Sequence, residues 1–526
     1  MRRISIAFLV MGLVALATAA QAAPLDADPP TLASGANPLA GCAPDGSGIN
    51  FPGSEVEPWI DVNPTDVSNI VGFYQQDRYS NGGAKGNVAA VSRDGGVTWT
   101  QVAVPSDTRC TGGAFQRASD PWVTFGPDGT LHAMSLVLDP DPATGGFGAN
   151  GMTYNRSTDG GLTWEQPIRL VTEPAGRFLH DKNSMTADPN DADFVYAVWD
   201  RVQVPADELT PAENLVGLGF KGPIYFTRTT NGGDSWEPAR KIYETGANKQ
   251  TLGNQIVVQP ASAGGSLFNV FADITNRSRR RGGIGPVKIS YIRSDDRGAT
   301  WTKPTRINDM IPMSLIIGRE GQTPIDVEDV PCPDPADTGD CPIRAGDLIP
   351  EVAVDPSNGN LYAVWMDARF DGGLFITDHD NIAFTQSTDG GRTWSPPIKV
   401  NKTPTSEPNY DQQAFTPSVH VDADGTVTVT YYDFRNNTAS PAALETDYFA
   451  VSCESGSENC ASPASWEEER ITPVSFDIRK APFARGYFLG DYMGLDHAGP
   501  AFAAMFGQAF AQNDASQYFS RLNPLP

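Results

Sequence analysis

The chain has 526 residues and a net charge of −25, from 38 Lys and Arg against 63 Asp and Glu. That balance argues against a nucleic-acid partner, because a phosphate backbone is gripped by a basic surface. Hydrophobic residues at 40% allow a large core, and 52 Gly with 43 Pro imply many turns.

The N-terminus reads as a targeting segment. Arg2 and Arg3 precede an apolar run over residues 4–19, and Ala20-Gln21-Ala22 is a small-x-small cleavage site. A signal peptide cleaved near Ala22 leaves no membrane span, so a soluble protein, secreted or periplasmic, is expected. Six cysteines fit an oxidising compartment. Proximity favours Cys332 with Cys341 and Cys453 with Cys460, which leaves Cys42 with Cys110. No His/Cys spacing indicates zinc. The basic stretch at 277–281 reads as a solvated loop, with a positive patch near a channel mouth as the alternative.

An octet of the form Ser/Thr-x-Asp-x-Gly-x-Thr/Ser-Trp then organises the rest. It stands at 92–99, 157–164, 229–236 (with Asn231 for Asp), 294–301 and 387–394, and a split copy ends at Trp466. Its Asp-Gly-Gly centre needs positive φ and so marks a hairpin tip. The Asp and Ser side chains can bond the turn's own amides, and the Trp is expected to pack back on the sheet. Short β-rich runs flank each octet, for example 88–91 and 102–104, or 382–385 and 398–400. Two more precede each pair, as at 59–62 with 71–74, or 419–421 with 427–431. Each unit is therefore a four-stranded antiparallel meander.

Six units are complete. A seventh has runs at 492–495, 502–506 and 518–521 and no octet. The expected fold is an all-β propeller with seven blades, six being the alternative. A segment within 25–52 is expected to supply the missing strand. The domain reading is a signal peptide at 1–22, an N-terminal segment at 23–52 and a single propeller over 53–526.

On these octets the chain resembles the sialidase (neuraminidase) superfamily of Asp-box, or BNR-repeat, β-propellers. The resemblance implies octets at the blade periphery and an exo-α-sialidase-like glycosidase. Such enzymes use three arginines on a substrate carboxylate, a Tyr nucleophile assisted by Glu, and an Asp acid/base. The family's usual Phe/Tyr-Arg-Ile-Pro motif is absent here, and six blades are usual there.

If the octets occupy one end of the blades, the loops before strand one and after strand two meet at the other. Those positions hold Glu55, Glu57, Asp77, Arg78, Arg117, Asp120, His180, Asp181, Lys182, Asp200, Arg201, Asn254, Glu351, Asp367, Arg369, Asp411, Asp433, Arg435, Arg485 and Asp491. Strand two ends in Asp-Arg or Asp-x-Arg in four units. One reading makes these pairs structural bridges. Another makes Arg78, Arg201, Arg369 and Arg435 an anion clamp, with Asp77, Asp200, Asp367, Asp433 and Asp491 also lining the site. Asp120 is then the expected acid/base, Tyr432 or Tyr492 the nucleophile and Glu351 its partner. No metal or cofactor is assigned; a Ca²⁺ site has only scattered Asp and Asn in its favour. The function expected is a sialidase-like glycosidase acting on an anionic glycan, as a monomer. The alternatives are a glycan- or protein-binding propeller without catalysis and a polysaccharide lyase.

Overall fold

The computed structural model describes residues 24–105, 107–141, 147–203, 221–276, 284–312, 342–346, 348–370, 379–407, 409–438, 443–455 and 459–525. The signal segment, the 277–281 basic stretch and the expected Cys332–Cys341 pair lie outside them. Among the described residues no helix is long and apolar enough to cross a membrane.

The protein is all-β, with its strands in several mostly antiparallel sheets. Glu55–Val62, Ile70–Arg78, Ala84–Ser92 and Thr100–Ala103 pair in that order. The same meander recurs over 117–173, 178–243, 249–310, 351–399 and 414–470. In a last unit Gly494–Ala498, Ala501–Ala511 and Asp514–Pro524 pair in order. The outer side of Asp514–Pro524 is taken by Leu25–Ala27 and Thr31–Leu32, from the other end of the chain. The first strand of each unit packs on the first strand of the next, and that of the last unit packs on Glu55–Val62. These first strands surround the centre of the molecule.

The octets account for how neighbouring units hold together. In five of them the leading hydroxyl accepts the N–H of the glycine at the fifth position, at 2.8–3.0 Å. The Asp or Asn side chain accepts the N–H four residues on, at 2.8–3.1 Å. The fifth-position glycine has φ between 82° and 98°. A Cβ there would meet the preceding unit: Val91 for Gly161, Tyr154 for Gly233, Phe226 for Gly298 and Phe268 for Gly391. For Gly96 the neighbour is Phe519 of the last unit.

The Trp rings also meet the adjoining unit: Trp236 on Tyr154, Trp301 on Phe226 and Trp99 on Phe519, with ring centroids 4.8, 5.4 and 5.2 Å apart. Trp99 packs as well against Tyr74, Val88 and Ala90 of its own unit. In the split copy Trp466 packs on Phe384 and donates to the Cys460 carbonyl at 2.9 Å. The Cys453–Cys460 and Cys42–Cys110 disulfides are both formed.

Candidate functional site

A repeated irregularity builds the site. In five first strands the register shifts by one extra residue, between Val56/Trp59, Ser119/Trp122, Asp181/Ser184, Leu252/Gln255 and Phe415/Ser418. Each bulge holds one residue in the left-handed region: Glu57 (φ 53°), Asp120 (44°), Lys182 (47°), Gly253 (67°) and Thr416 (48°). In three of them proline follows, and a bulge tolerates its missing N–H. A left-handed conformation costs a non-glycine residue about 1–2 kcal/mol. Bulges that re-aim side chains are characteristic of sites. Here Glu57, Asp120 and Lys182, from three successive units, line one cavity with Arg78, Asp181, Arg344 and Arg485. The cavity offers about 40 Å³ of water-sized space, room for a few waters or a carboxylate group.

The buried charges form one network. Lys182 Nζ pairs with Asp491 Oδ2 and lies 3.6 Å from Glu57 Oε1. Arg344 donates to the same Asp491 oxygen at 2.7 Å. Arg78 donates to Gln75 at 2.5 Å, and Gln75 donates to Glu57. Arg78 and Arg344 share the Phe488 ring, with guanidinium carbons 4.9 and 4.1 Å from its centroid. Asp120 is fixed from two sides, by Ser119 Oγ at 2.7 Å and by the Lys182 N–H at 3.0 Å.

Burial and charge shift these groups in a consistent pattern. Burial, with Arg344 and Arg78 adding repulsion, brings Arg485 down to about 9. Burial and Arg344 bring Arg78 down to about 10. Burial raises Glu57 to about 8 against the pull of Lys182, and raises Asp181 to about 6. Burial opposes the charge on Asp491, but Arg344 and Lys182 hold its carboxyl well below the usual range. Burial favours the neutral form of Glu57, so less negative charge faces Lys182, Arg78, Arg344 and Arg485, and an added anion is favoured.

An adjoining cavity shares Lys182 and is lined by Trp122, Glu351 and Tyr492 among others. Burial raises Glu351 to about 8. Tyr492 donates to the Pro121 carbonyl at 3.2 Å, and its ring meets Trp122 at 5.5 Å.

Of the residues expected from sequence, Arg78, Asp120, Asp491, Glu351 and Tyr492 come together here. The four-arginine clamp does not. Arg201 is held by Glu173, with Nε at 2.7 Å, and lies over the Phe178 ring. Arg369 turns back on Asp367 at 2.7 Å. Arg435 turns back on Asp433 and on Glu468, both at 2.5 Å. With Asp two positions earlier, each of the last two guanidiniums has a partner at the same strand end.

The remaining carboxylates bond to groups of the protein itself. Asp77 pairs with Lys85 at 2.9 Å and accepts from Asn37. Asp200 accepts from Thr251 and Asn254 of the next unit at 2.5 and 2.7 Å. Asp367 accepts from Trp365 at 2.7 Å and Asp433 from Thr403 at 2.7 Å. Tyr432 is buried in the core and donates to the Gly507 carbonyl at 2.8 Å.

Arg344 was absent from the sequence expectation, because residues 310–347 read as one long loop. It stands on the short strand Ile343–Arg344, which pairs with Tyr487–Phe488. Glu57, Asp181, Lys182 and Arg485 were among the mouth positions without an assigned role. A usable signal was the shared spelling Glu57-Pro58-Trp59 and Asp120-Pro121-Trp122.

No protein-family profile matches the chain, and no curated protein matches it in sequence. Among solved structures it is similar to a protein of unknown function from Dyadobacter fermentans, at 15% identity over 91% of this chain and 97% of that one, with a TM-score of 0.44. The Hadza microbial sialidase Hz136 matches at 17% identity over 72% of this chain and 64% of that one, with a TM-score of 0.41. A Penicillium chrysogenum α-L-arabinanase, solved with arabinobiose, matches at 14% identity over 80% and 96%, with a TM-score of 0.40.

Proposed function

We propose that this protein is an exported, sialidase-like glycoside hydrolase on a seven-bladed β-propeller, acting on a glycan that carries a carboxylate. The observation that carries the reading is the convergence of Arg78, Arg344 and Arg485 on one buried cavity, close enough for Arg344 to depress the basicity of the other two. Guanidiniums grip a carboxylate in two places each.

The chemistry places the sugar's anomeric carbon toward Tyr492. Its phenol oxygen attacks as the glycosidic C–O bond breaks, and the phenol proton goes to Glu351 in its ionised form, a base strengthened by burial. Glu57, whose neutral form burial favours, is suited to give a proton to the leaving oxygen and, left as the carboxylate, to take one back from the water that releases the sugar. Asp120, whose two oxygens each accept a hydrogen bond, holds the Lys182 backbone in place beside it. Asp491 takes no part in bond changes; it positions Lys182 and Arg344.

The test is hydrolysis of aryl α-sialosides and aryl uronides by the wild type, Arg485→Ala and Arg344→Ala. The expected result is turnover of one series, with kcat/KM down by 100-fold or more in both variants. Binding of acidic glycans without turnover would leave only a lectin-like role. Turnover unchanged in Arg485→Ala would remove the clamp.

A further inference from the structure

A second constellation lies on the same inner strands, away from the arginine cavity. His420 is near the end of Ala414–Val421, while Asp496 and His497 are on Gly494–Ala498 of the next unit. His420 Nε2 and His497 Nδ1 face each other at 2.8 Å, and they stand 3.1 and 3.3 Å from the same Asp496 oxygen, Oδ1. Among the described residues this is the one such grouping of His, Cys, Asp and Glu donor atoms. Both imidazoles keep solvent access, with side chains 28% and 34% exposed.

We propose that His420 Nε2, His497 Nδ1 and Asp496 Oδ1 bind a divalent transition-metal cation, with Zn²⁺ as the favoured ion. Three close donor–donor edges need three bridging interactions. Each of the two ring nitrogens carries one proton at most, so two hydrogens have to serve three edges. A single cation uses all three lone pairs at once. With metal–ligand bonds of about 2.0–2.1 Å, ligand atoms in octahedral or tetrahedral sites stand roughly 2.9–3.4 Å apart, close to the spread seen here. Two imidazoles and one carboxylate suit zinc and its first-row neighbours rather than calcium or magnesium, which prefer all-oxygen shells. The supporting contacts are also present. The Val62 N–H donates to Asp496 Oδ2 at 2.7 Å, which aims Oδ1 at the histidines. Asp61 lies against the Asp496 carboxyl and against Thr124 and Phe125.

The consequence is mechanical. His420 comes from the sixth unit, Asp496 and His497 from the last, and Val62 from the first. A cation here would fasten the unit that holds both chain ends to its two neighbours.

The test uses untagged, chelator-treated full-length protein titrated with Zn²⁺ by calorimetry, and with Co²⁺ by visible absorption. One equivalent of Zn²⁺ should bind and raise the thermal midpoint, and Co²⁺ should give ligand-field bands. His420→Gln and His497→Gln should each weaken binding by 100-fold or more and abolish the bands. Asp496→Asn keeps an oxygen for the Val62 N–H and guards against a variant that misfolds; it should weaken binding at least tenfold. Absence of stoichiometric Zn²⁺ binding to the wild type would overturn the proposal. So would stoichiometric binding that the two histidine variants leave unchanged. Neither result bears on glycan turnover.

Discussion

Arg344 and Asp491 meet at 2.7 Å although 147 positions separate them in the chain. The same carboxylate holds Lys182. One acid thus anchors two cations, brought from the third unit and from the segment before the fifth. Removing its charge while keeping its shape leaves both buried without their nearest carboxylate. Asp491→Asn is expected to cost about 3–5 kcal/mol. Chemical denaturation measures it, and a loss below about 1 kcal/mol would show that Asp491 does not organise the network.

Arg435 makes the opposite case. It faces Asp433 and Glu468 and does not line the cavity. Arg435→Ala should destabilise by about 2–4 kcal/mol, because Asp433 is fully buried. Turnover per folded molecule should stay within about twofold of wild type. A hundredfold loss in kcat/KM with the fold intact would restore Arg435 to the substrate site.

The two glycines of one octet separate conformation from contact. Gly390 (φ 72°) has open space where a Cβ would stand, while beside Gly391 (φ 82°) that Cβ would lie 2.8 Å from the Phe268 ring. Gly390→Ala should cost about 1 kcal/mol from backbone strain alone. Gly391→Ala should cost about 1–3 kcal/mol more, because the neighbouring unit has to move. Equal thermal midpoints for the two variants would mean that the octet does not hold units together.

A pH dependence follows from Glu55, which burial raises to about 8 although Gln76 and Ser34 bond it. The folded state keeps a proton that the unfolded chain releases. Its contribution is therefore complete below the ordinary carboxylate range and is lost as pH rises through about 8. Glu55→Gln keeps the shape without the charge. Its stability advantage should be near zero at pH 4 and on the order of 2 kcal/mol or more above pH 8. Thermal scans across that range measure it, and a difference that does not change with pH would contradict the shift.

Strand pairs and octets were legible because both are local. Period-two runs and Asp-Gly-Gly tips are spelled within a dozen residues, and Leu25–Ala27 pairs with the outer strand of the last sheet. The arginine cavity was only partly legible. Arg78 and Asp120 stand beside strand ends where a reader looks, but Arg344 depends on Ile343–Arg344 pairing with Tyr487–Phe488, far away in the chain. The Asp-Arg repeats misled for a physical reason. A guanidinium two residues from a carboxylate satisfies it locally, as Arg369 does for Asp367.

The hydrogen bond from Leu525 to Pro24, at 2.9 Å, has a bearing on biosynthesis. Leu25–Ala27 is synthesised long before its partner, Leu522–Pro524. Until that partner exists the earlier segment has no edge to join, so this pairing forms late. The seam is also portable. With its ends already in register, the chain should accept a short covalent link there and new termini at an octet tip, which would move the latest-forming sheet to another unit.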